Sequence, residues 1–486
     1  MSLRRITRPS GPRLFQVMFA FLGTATVFAP LLIRSQTPSR RATQANRPAS
    51  SDATISQLRE AASLLQQGRL AEAEPILRQV LLAAPRNPDA HNLLGIVLDQ
   101  RAQFKAAERE YRTALRLNPS LISPLANLGV LLARTGRSEE AIRAFETVLQ
   151  KVPDHPEANL NLGLQYIARG DYARAMPLLE RAAQLSGDNY QIRHNVGLAL
   201  YNLKRYDEAV AAFDSAASLS PGSADPLYYL GLIYWSRHQD ERAAEFWDRA
   251  VHLRPNFPEA NFMLGEALRK NQRTQAAVEF YQRALDQDAT KFAYYARLGG
   301  TYFLLGQHDR ALEVFQRAAQ RFPQMAEAHH FVGVAARARA DYGLAEAEFR
   351  KSLALRPDNV DTLAQLGFIV GERDHFDEAE KLLRRALAIS DQHFYANYDL
   401  GRVLVKSKRY EESLSILQHA ATLKPKNASV HYQMFIALSR LKRKEEAQQE
   451  LTIFKRLDEE RKAQPQQGDD TELENPELPI ASPPDS

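Results

Sequence analysis

The sequence has no cysteine among its 486 residues. That absence excludes disulfide bonds, thiol catalysis, cysteine-based zinc sites and an N-terminal lipidated cysteine. The twelve histidines stand in no metal-ligand spacing such as His-Glu-x-x-His. Even the adjacent pair His329 and His330 points to two different sides of a helix. We therefore predict no metal site and no cofactor, and we expect the histidines to lie on the surface or in a groove.

The body of the chain also lacks an excess of one charge. The net charge is +5, but eight arginines lie within residues 1–53 and six acids within the tail 462–486. The body between them is close to neutral, whereas a nucleic-acid-binding surface needs a concentrated basic stripe. We therefore expect protein or peptide partners and no nucleic acid. The proline-rich acidic tail is predicted to be disordered.

Only one long apolar run occurs, from Leu14 to Ile33, and four arginines precede it. The run is just long enough to cross the hydrocarbon core of a membrane, and the same layout is typical of a secretory signal. We predict a signal peptide or an N-terminal membrane anchor at 1–34 and a flexible linker at 35–53. Arginines flank the run on both sides, so the positive-inside rule gives no orientation. Because a short basic N-terminal flank usually stays in the cytoplasm, we expect the rest of the chain outside it.

Most of the chain repeats with a period of 34 residues. A glycine recurs ten times at that interval, an alanine follows most of these glycines by twelve positions, and a large residue stands four positions beyond the alanine. Proline ends many of the units. The recurring glycines are Gly95, Gly129, Gly163, Gly197, Gly231, Gly265, Gly299, Gly333, Gly367 and Gly401.

The repeated glycine indicates a close contact, because glycine in a helix costs about 1 kcal/mol relative to alanine. We expect it to let the backbone of a second helix approach, with the alanine at the same crossing. The large residue lies on the face of that alanine and is expected to fill the gap to the next repeat. Gly68, Gly136, Gly170 and Gly306 fall between the two helices of their units, where a left-handed C-cap is favoured.

These units resemble tetratricopeptide repeats. That family has a small residue at position eight, alanine at twenty, an aromatic residue at twenty-four, alanine at twenty-seven and proline at thirty-two. The unit from Tyr190 to Ser223 fits throughout, with Gly197, Ala209, Phe213, Ala216 and Pro221. The frame covers residues 54–461 as twelve tandem units. The resemblance implies an all-α, right-handed superhelical solenoid of about twelve helix-turn-helix repeats, in which the first helices line the concave surface.

No catalytic site is predicted. Acidic pairs such as Glu139 and Glu140 come at the start of second helices, where they favour the positive end of the helix dipole. Gly299 and Gly300 have no phosphate-loop context, because Gly299 belongs to the repeat frame. No block of about a hundred residues remains outside the repeats for a catalytic domain. We therefore expect a protein that is not an enzyme.

The resemblance also implies that positions two, five, six, nine, twelve and thirteen contact ligands. Position six is Asn127, Asn161 and Asn195 in three consecutive units. This is similar to the asparagine ladder of O-GlcNAc transferase, although we find no counterpart of its glycosyltransferase domain. An amide both donates and accepts, so such a ladder would hold an extended peptide backbone. The alternative is that asparagine before Leu-Gly is merely common in these repeats.

Aromatic residues and cations occupy ligand positions in the middle of the array. An exposed aromatic stripe marks a protein contact, and the alternative is that several of these rings pack between repeats. The aromatic candidates are Tyr201, Tyr228, Tyr229, Trp235, Phe262 and Phe303, and the cations suited to acidic ligand groups are Arg269, Lys270, Arg337, Arg402 and Lys406. Our peptide-binding set is Asn127, Asn161, Asn195, Tyr201, Tyr228, Trp235, Phe262, Arg269 and Phe303.

The sequence therefore predicts an exported or membrane-tethered scaffold that binds partner proteins or extended peptides in its groove. One alternative is an accessory subunit of an envelope enzyme or of a secretion or assembly complex. Another is an architectural protein that associates end to end. The last repeat argues against it, because the predicted helix 445–462 has an outer face rich in Glu, Lys, Arg and Gln, which is expected to face water.

Overall fold

The computed structural model describes residues 49–187 and 189–463, and every regular element in that part of the chain is a helix. Helices with odd numbers are the first helices of hairpins, and those with even numbers are the second. The hairpins are α1 Ala49–Gln66 with α2 Leu70–Ala83, α3 Pro88–Gln100 with α4 Phe104–Leu117, α5 Ser123–Arg134 with α6 Ser138–Lys151, α7 Pro156–Ala168 with α8 Tyr172–Ser186, α9 Tyr190–Asn202 with α10 Tyr206–Leu219, α11 Ala224–Ser236 with α12 Asp240–Leu253, α13 Pro258–Lys270 with α14 Thr274–Gln287, α15 Phe292–Leu304 with α16 His308–Arg321, α17 Ala326–Ala338 with α18 Tyr342–Leu355, α19 Val360–Glu372 with α20 Phe376–Ile389, α21 Phe394–Lys406 with α22 Tyr410–Leu423, and α23 Ala428–Arg440 with α24 Lys444–Ala463.

The chain divides into two units, which we call unit 1 (up to Ile233) and unit 2 (from Tyr234). From α1 to α10 in unit 1, and from α12 to α24 in unit 2, each helix packs against the next one in the chain. The all-α fold of twelve repeated hairpins is therefore confirmed. The apolar run Leu14–Ile33 and nearly all of the acidic tail lie outside the described residues.

The turn between the two helices of a hairpin requires a residue in the left-handed region. Gly68, Gly136, Gly170 and Gly306 occupy it with φ of 72°, 78°, 73° and 69°, which confirms the prediction of a C-cap position. Eight other hairpins place a residue with a side chain there, at a cost in backbone strain. These are Ala102, Lys204, His238, Gln272, Ala340, Asp374, Lys408 and Lys442, with φ between 58° and 63°.

The recurring glycine makes room for a side chain of its own hairpin. A Cβ on Gly299 would lie 2.4 Å from Cε1 of Phe315, and one on Gly197 would lie 2.7 Å from Cδ1 of Phe213. The same contact is made to tyrosine or leucine in other hairpins, always by the residue sixteen positions later.

We predicted that this glycine admits the backbone of the second helix. The nearest atoms belong instead to the large side chain, and a backbone oxygen of the second helix comes within 3.5 Å of the added carbon at Gly163 and Gly367. The ring also packs against the next repeat as predicted, since Phe315 lies 5.2 Å from Phe331.

A buried polar side chain at position four ties many hairpins to the turn before them. Asn159, Asn261 and Asn397 donate through Nδ2 to the carbonyl oxygens six and four residues earlier, at 2.8–3.1 Å. Histidine takes this position in three other hairpins, where one ring nitrogen meets the carbonyl oxygen of a proline six residues earlier. The sequence analysis missed these ties, which we call junction ties.

Several histidines are buried, contrary to our expectation of surface or groove positions. His155, His329, His330 and His431 are each less than a tenth exposed. His330 bonds through Nδ1 to Oγ1 of Thr362 at 2.8 Å, and burial lowers the pKa of its imidazole to about 4. His330 is therefore neutral at physiological pH and fills a structural position between repeats.

Candidate functional site

Consecutive first helices lie close together in each unit and form one of its faces. First helices contact the first helix of the next hairpin, for example at α3–α5 and α5–α7 in unit 1 and at α19–α21 and α21–α23 in unit 2. Within the described part of the chain, no two consecutive second helices make comparably extensive contact. The first helices thus present a continuous surface within each unit, which we call the first-helix surface.

The three predicted asparagines lie on the first-helix surface of unit 1, but they do not bond to one another. Asn127 donates through Nδ2 to Oδ1 of Asn92 at 3.1 Å, which joins two neighbouring repeats. Asn161 donates to the carbonyl oxygen of Glu157 and Asn195 to that of Gln191, both at 2.7 Å and both within their own helix. One of the two N–H donors of Asn161 and of Asn195 is therefore engaged within the helix, and each amide has an acceptor oxygen and a second N–H to offer a ligand.

Half-buried aliphatic side chains surround these amides. Leu160, Leu164 and Ile167 accompany Asn161 on α7, and Val130 and Leu198 occupy equivalent places on α5 and α9. Each of these side chains keeps part of its surface in water. Unit 1 therefore presents an apolar strip in which amide groups recur at each repeat.

Tyr201 and Tyr228 belong to a ring cluster at the end of unit 1. Tyr229 joins them, since its ring lies 5.6 Å from that of Tyr201 and 5.5 Å from that of Tyr228. Tyr229 in turn stacks on the core residue Phe213 at 5.1 Å. The cluster is half-buried, and burial raises the pKa of the Tyr201 hydroxyl. Because its rings are fixed by the core beneath them, the cluster offers a rigid aromatic contact.

Trp235 lies in unit 2 with a lysine over its ring. The Nζ of Lys270 is 4.6 Å from the centre of the Trp235 ring and 2.7 Å from Oδ2 of Asp240. Beneath it, Trp247 packs at 5.7 Å and is fully buried. Trp235 therefore stands half-buried with a cation already in place, and Lys270 already has a carboxylate partner.

Phe262 and Phe303 lie in the interior and not on an open surface. Phe262 is 3% exposed and packs 4.9 Å from the ring of Tyr294 and 5.7 Å from that of Tyr281. Phe303 is 8% exposed and contacts the ring of His308 at 4.9 Å. The alternative interpretation, that some of these rings pack between repeats, describes Phe262, whereas the ring contact of Phe303 lies within its own hairpin.

Arg269 belongs to a charge network on the same surface of unit 2. Its Nη2 lies 3.4 Å from Oε2 of Glu266, while Oε1 of Glu266 lies 3.0 Å from Nε of Arg297 and accepts from the Tyr281 hydroxyl. Glu266 and Arg297 are each 8% exposed, and burial raises the pKa of Tyr281 well above its ordinary value. The sequence analysis missed Glu266 and Arg297, although they occupy ligand positions nine and six of consecutive repeats.

Two further cations of unit 2 are engaged within the fold. Arg402 bonds to Glu372 at 2.7 Å and to Asp399 at 3.1 Å, and Lys406 bonds to the same oxygen of Glu372 at 3.2 Å. Phe368 lies between two guanidinium groups, 4.5 Å from that of Arg337 and 5.5 Å from that of Arg402. The cations that we assigned to acidic ligand groups therefore have internal partners.

Across the part of the chain that the structure describes, no three histidine, aspartate or glutamate side chains are grouped to hold a metal ion. In the same residues, no helix has the length and apolar character needed to cross a membrane.

Models of protein families identify the family of the chain. Two models of the tetratricopeptide repeat match it, one over residues 64–129 and 166–229 and the other over 127–190. The chain is a tetratricopeptide repeat protein. A third model, the C-terminal domain of cilia and flagella-associated protein 70, matches residues 251–470 of this tetratricopeptide repeat protein. A search of curated proteins finds no significant match.

Solved tetratricopeptide repeat structures are similar to parts of the chain at low identity. Pseudomonas aeruginosa pilF is 23% identical with a TM-score of 0.41, over 46% of this chain and all of its own. YrrB, described as a tetratricopeptide repeat protein with an unusual peptide-binding site, is 23% identical with a TM-score of 0.36, over 40% of this chain and 97% of its own. Yeast Tom70 is 14% identical with a TM-score of 0.35, over 82% of this chain and 97% of its own.

Proposed function

We propose that this tetratricopeptide repeat protein is an adaptor that binds extended segments of partner proteins along the first-helix surface of unit 1. Repeats of this family generally serve as non-catalytic scaffolds for protein interaction. The observation that carries the proposal is the alternation of half-buried aliphatic side chains with the amides of Asn127, Asn161 and Asn195. An extended segment has backbone donors for such acceptors and apolar side chains for the strip between them.

The charges of the two units support unit 1 as the binding surface. In unit 2, Glu266, Glu372 and Asp399 already neutralise nearby cations, so a ligand carboxylate would have to displace an internal partner. In unit 1 the strip from α5 to α9 is mostly uncharged at its ligand positions; the charged residues there are Arg134 at the end of α5 and Glu157 at the start of α7. A rigid, mostly uncharged strip binds backbone without a large cost of ordering or of charge desolvation.

Crosslinking tests this location directly. A photoreactive amino acid replaces Leu164, which is half-buried on the first-helix surface of α7, and a matched variant carries it at Arg174, an exposed residue of α8. We expect the Leu164 variant to capture partner proteins in native cells and the Arg174 variant to capture few. Equal capture at both positions would place the binding surface elsewhere.

We also propose that the protein is exported or tethered to a membrane. The support is the basic segment followed by the apolar run Leu14–Ile33. Fractionation of cells with protease treatment from outside measures this, and we expect the repeats to sediment with membranes or to be released with other exported proteins. Full-length protein in the cytosolic fraction, inaccessible to protease, would refute export and tethering.

The identity of the captured partners tests the accessory-subunit alternative. Partners that are all subunits of one envelope enzyme or secretion complex would favour that alternative over a general adaptor.

A further inference from the structure

Three junction ties are histidines that contact two acceptors at once. In each, Nδ1 lies 2.6 Å from a glutamate oxygen on the second helix of the same hairpin, and Nε2 faces the carbonyl oxygen of a proline six residues earlier. His91 joins Glu110 and Pro85, His329 joins Glu348 and Pro323, and His431 joins Glu450 and Pro425. The proline carbonyls lie at 3.0, 3.1 and 3.3 Å.

A neutral imidazole cannot satisfy both contacts, because it carries one N–H and one lone pair. Either tautomer would direct a lone pair at an oxygen, and a buried unsatisfied acceptor pair is costly. Both contacts become favourable when the histidine–glutamate pair holds two protons, one on each side of the ring. Since glutamate is the stronger acid, the proton between the two groups belongs on the imidazole, which is then a cation.

The asparagine ties provide the comparison within the molecule. Asn159, Asn261 and Asn397 donate to the equivalent carbonyl oxygens through an amide that does not titrate. The position therefore requires a donor to the preceding turn, and asparagine supplies it at any pH. Histidine supplies both of its bonds only while it is protonated.

We propose that His91, His329 and His431 are imidazolium ions in the folded protein and make three hairpin junctions pH-sensitive, while the asparagine ties hold their junctions regardless of pH. Glu348 also accepts from Lys351 at 2.7 Å, and Arg456 lies near the His431–Glu450 pair. Removal of the proton as pH rises leaves one acceptor of each tie facing a lone pair, so the hairpin loosens from the turn before it.

The pKa of His431 agrees with this geometry in direction. Its hydrogen bond with Glu450 raises the pKa above the ordinary histidine value, against the opposing effect of burial. A raised pKa contributes stability that is fully present below the unfolded value of about 6.5 and is lost as pH rises through the folded pKa. Buried neutral histidines such as His330 act in the opposite sense, so the ties have to be isolated by a difference measurement.

The test compares the full chain with a triple variant, His91→Asn, His329→Asn and His431→Asn, whose new side chains match the natural asparagine ties. A control variant carries His252→Asn, at an exposed position of α12. Thermal midpoints are measured from about pH 5.5 to about pH 8.5, which spans ordinary histidine titration. We expect the advantage of the wild type over the triple variant to shrink as pH rises, and the control to follow the wild type throughout.

Histidine NMR on the wild type gives a second readout that needs no variant. We expect the His431 imidazole to titrate above about 6.5, the ordinary value, and the rings of all three ties to carry a proton on both nitrogens at the acidic end of the range. A difference in thermal midpoint that does not depend on pH would overturn the proposal. So would NMR spectra in which these three rings are neutral at about pH 6.

Discussion

The first-helix surfaces of the two units share one repeat frame and differ in which side chains they leave exposed to solvent. In α7 of unit 1, Leu160, Asn161 and Leu164 at positions five, six and nine are each partly exposed. In α17 of unit 2, the equivalent His330, Phe331 and Val334 are all buried. The same positions are therefore open to a ligand in one unit and are packed internally in the other. A position in the repeat frame is therefore not enough to make a residue available to a ligand. Its exposure also depends on the size and the pairing of the side chains around it.

The largest effect that separates the two units should come from the buried charge network. Arg297→Met removes a partner of Glu266 and leaves that carboxylate buried, which should cost about 3 kcal/mol of unfolding free energy. Arg181→Met breaks the exposed pair with Asp154 in unit 1 and should cost less than about 1 kcal/mol. Urea unfolding of both variants measures the contrast. Similar losses would mean that the network of unit 2 is no more important than a surface pair.

A second test addresses what the units share. Gly333→Ala in unit 2 and Gly197→Ala in unit 1 each bring a methyl group to 2.5–2.7 Å from a buried ring. Overpacking of this kind should lower the unfolding free energy by about 1–3 kcal/mol in both units. Gly222→Ala, with no atom within 4 Å of the added carbon, serves as the control and should change little. A loss confined to one unit would show that the ring contact is not a common element of the frame.

The turns allow a smaller, stabilising test in each unit. Ala102 and Ala340 hold φ of 58°, a conformation that glycine adopts without strain and occupies in four other hairpins. Ala102→Gly and Ala340→Gly should each raise the unfolding free energy by about 0.5–1 kcal/mol, since the relief of strain exceeds the entropy cost. Thermal melts suffice to measure the shift. No gain in either unit would indicate that the left-handed residue is not strained in these turns.

The smallest effect on stability should come from the proposed binding surface. Replacement of Asn127, Asn161 and Asn195 by alanine removes mainly local bonds, so each change should cost less than about 0.5 kcal/mol. Binding of partner segments should nevertheless weaken, because the acceptor amides are lost. Binding is measured with the partners captured through Leu164, and Gln184→Ala on the exposed side of α8 is the control. Unchanged binding would contradict the proposed role of the asparagines.

The repeat frame could be predicted because its signals are local. Ten glycines at one spacing and glycine in four hairpin turns identified the helices and the turns without knowledge of their packing. The partner of each glycine was assigned wrongly, since the same spacing fits a nearby backbone or a nearby ring. Only the atomic positions of residues such as Phe315 decide between them.

The binding surface was harder to predict because burial depends on neighbouring repeats. Phe262 and Tyr201 occupy ligand positions five and twelve, yet one is 3% exposed and the other is half-buried. Tyr281 and Tyr294, from two different hairpins, cover Phe262. The junction ties did have a sequence signal, because asparagine or histidine recurs at position four. That signal is weaker than glycine, since either residue is also common on surfaces.

Each recurring glycine and the large side chain that packs on it are only sixteen residues apart, and both lie in the same hairpin. Closing so short a stretch of chain costs little entropy, and it requires no residue that has yet to be translated. A nascent chain can therefore fold one hairpin after another as it leaves the ribosome, and each folded hairpin provides the surface against which the next one packs.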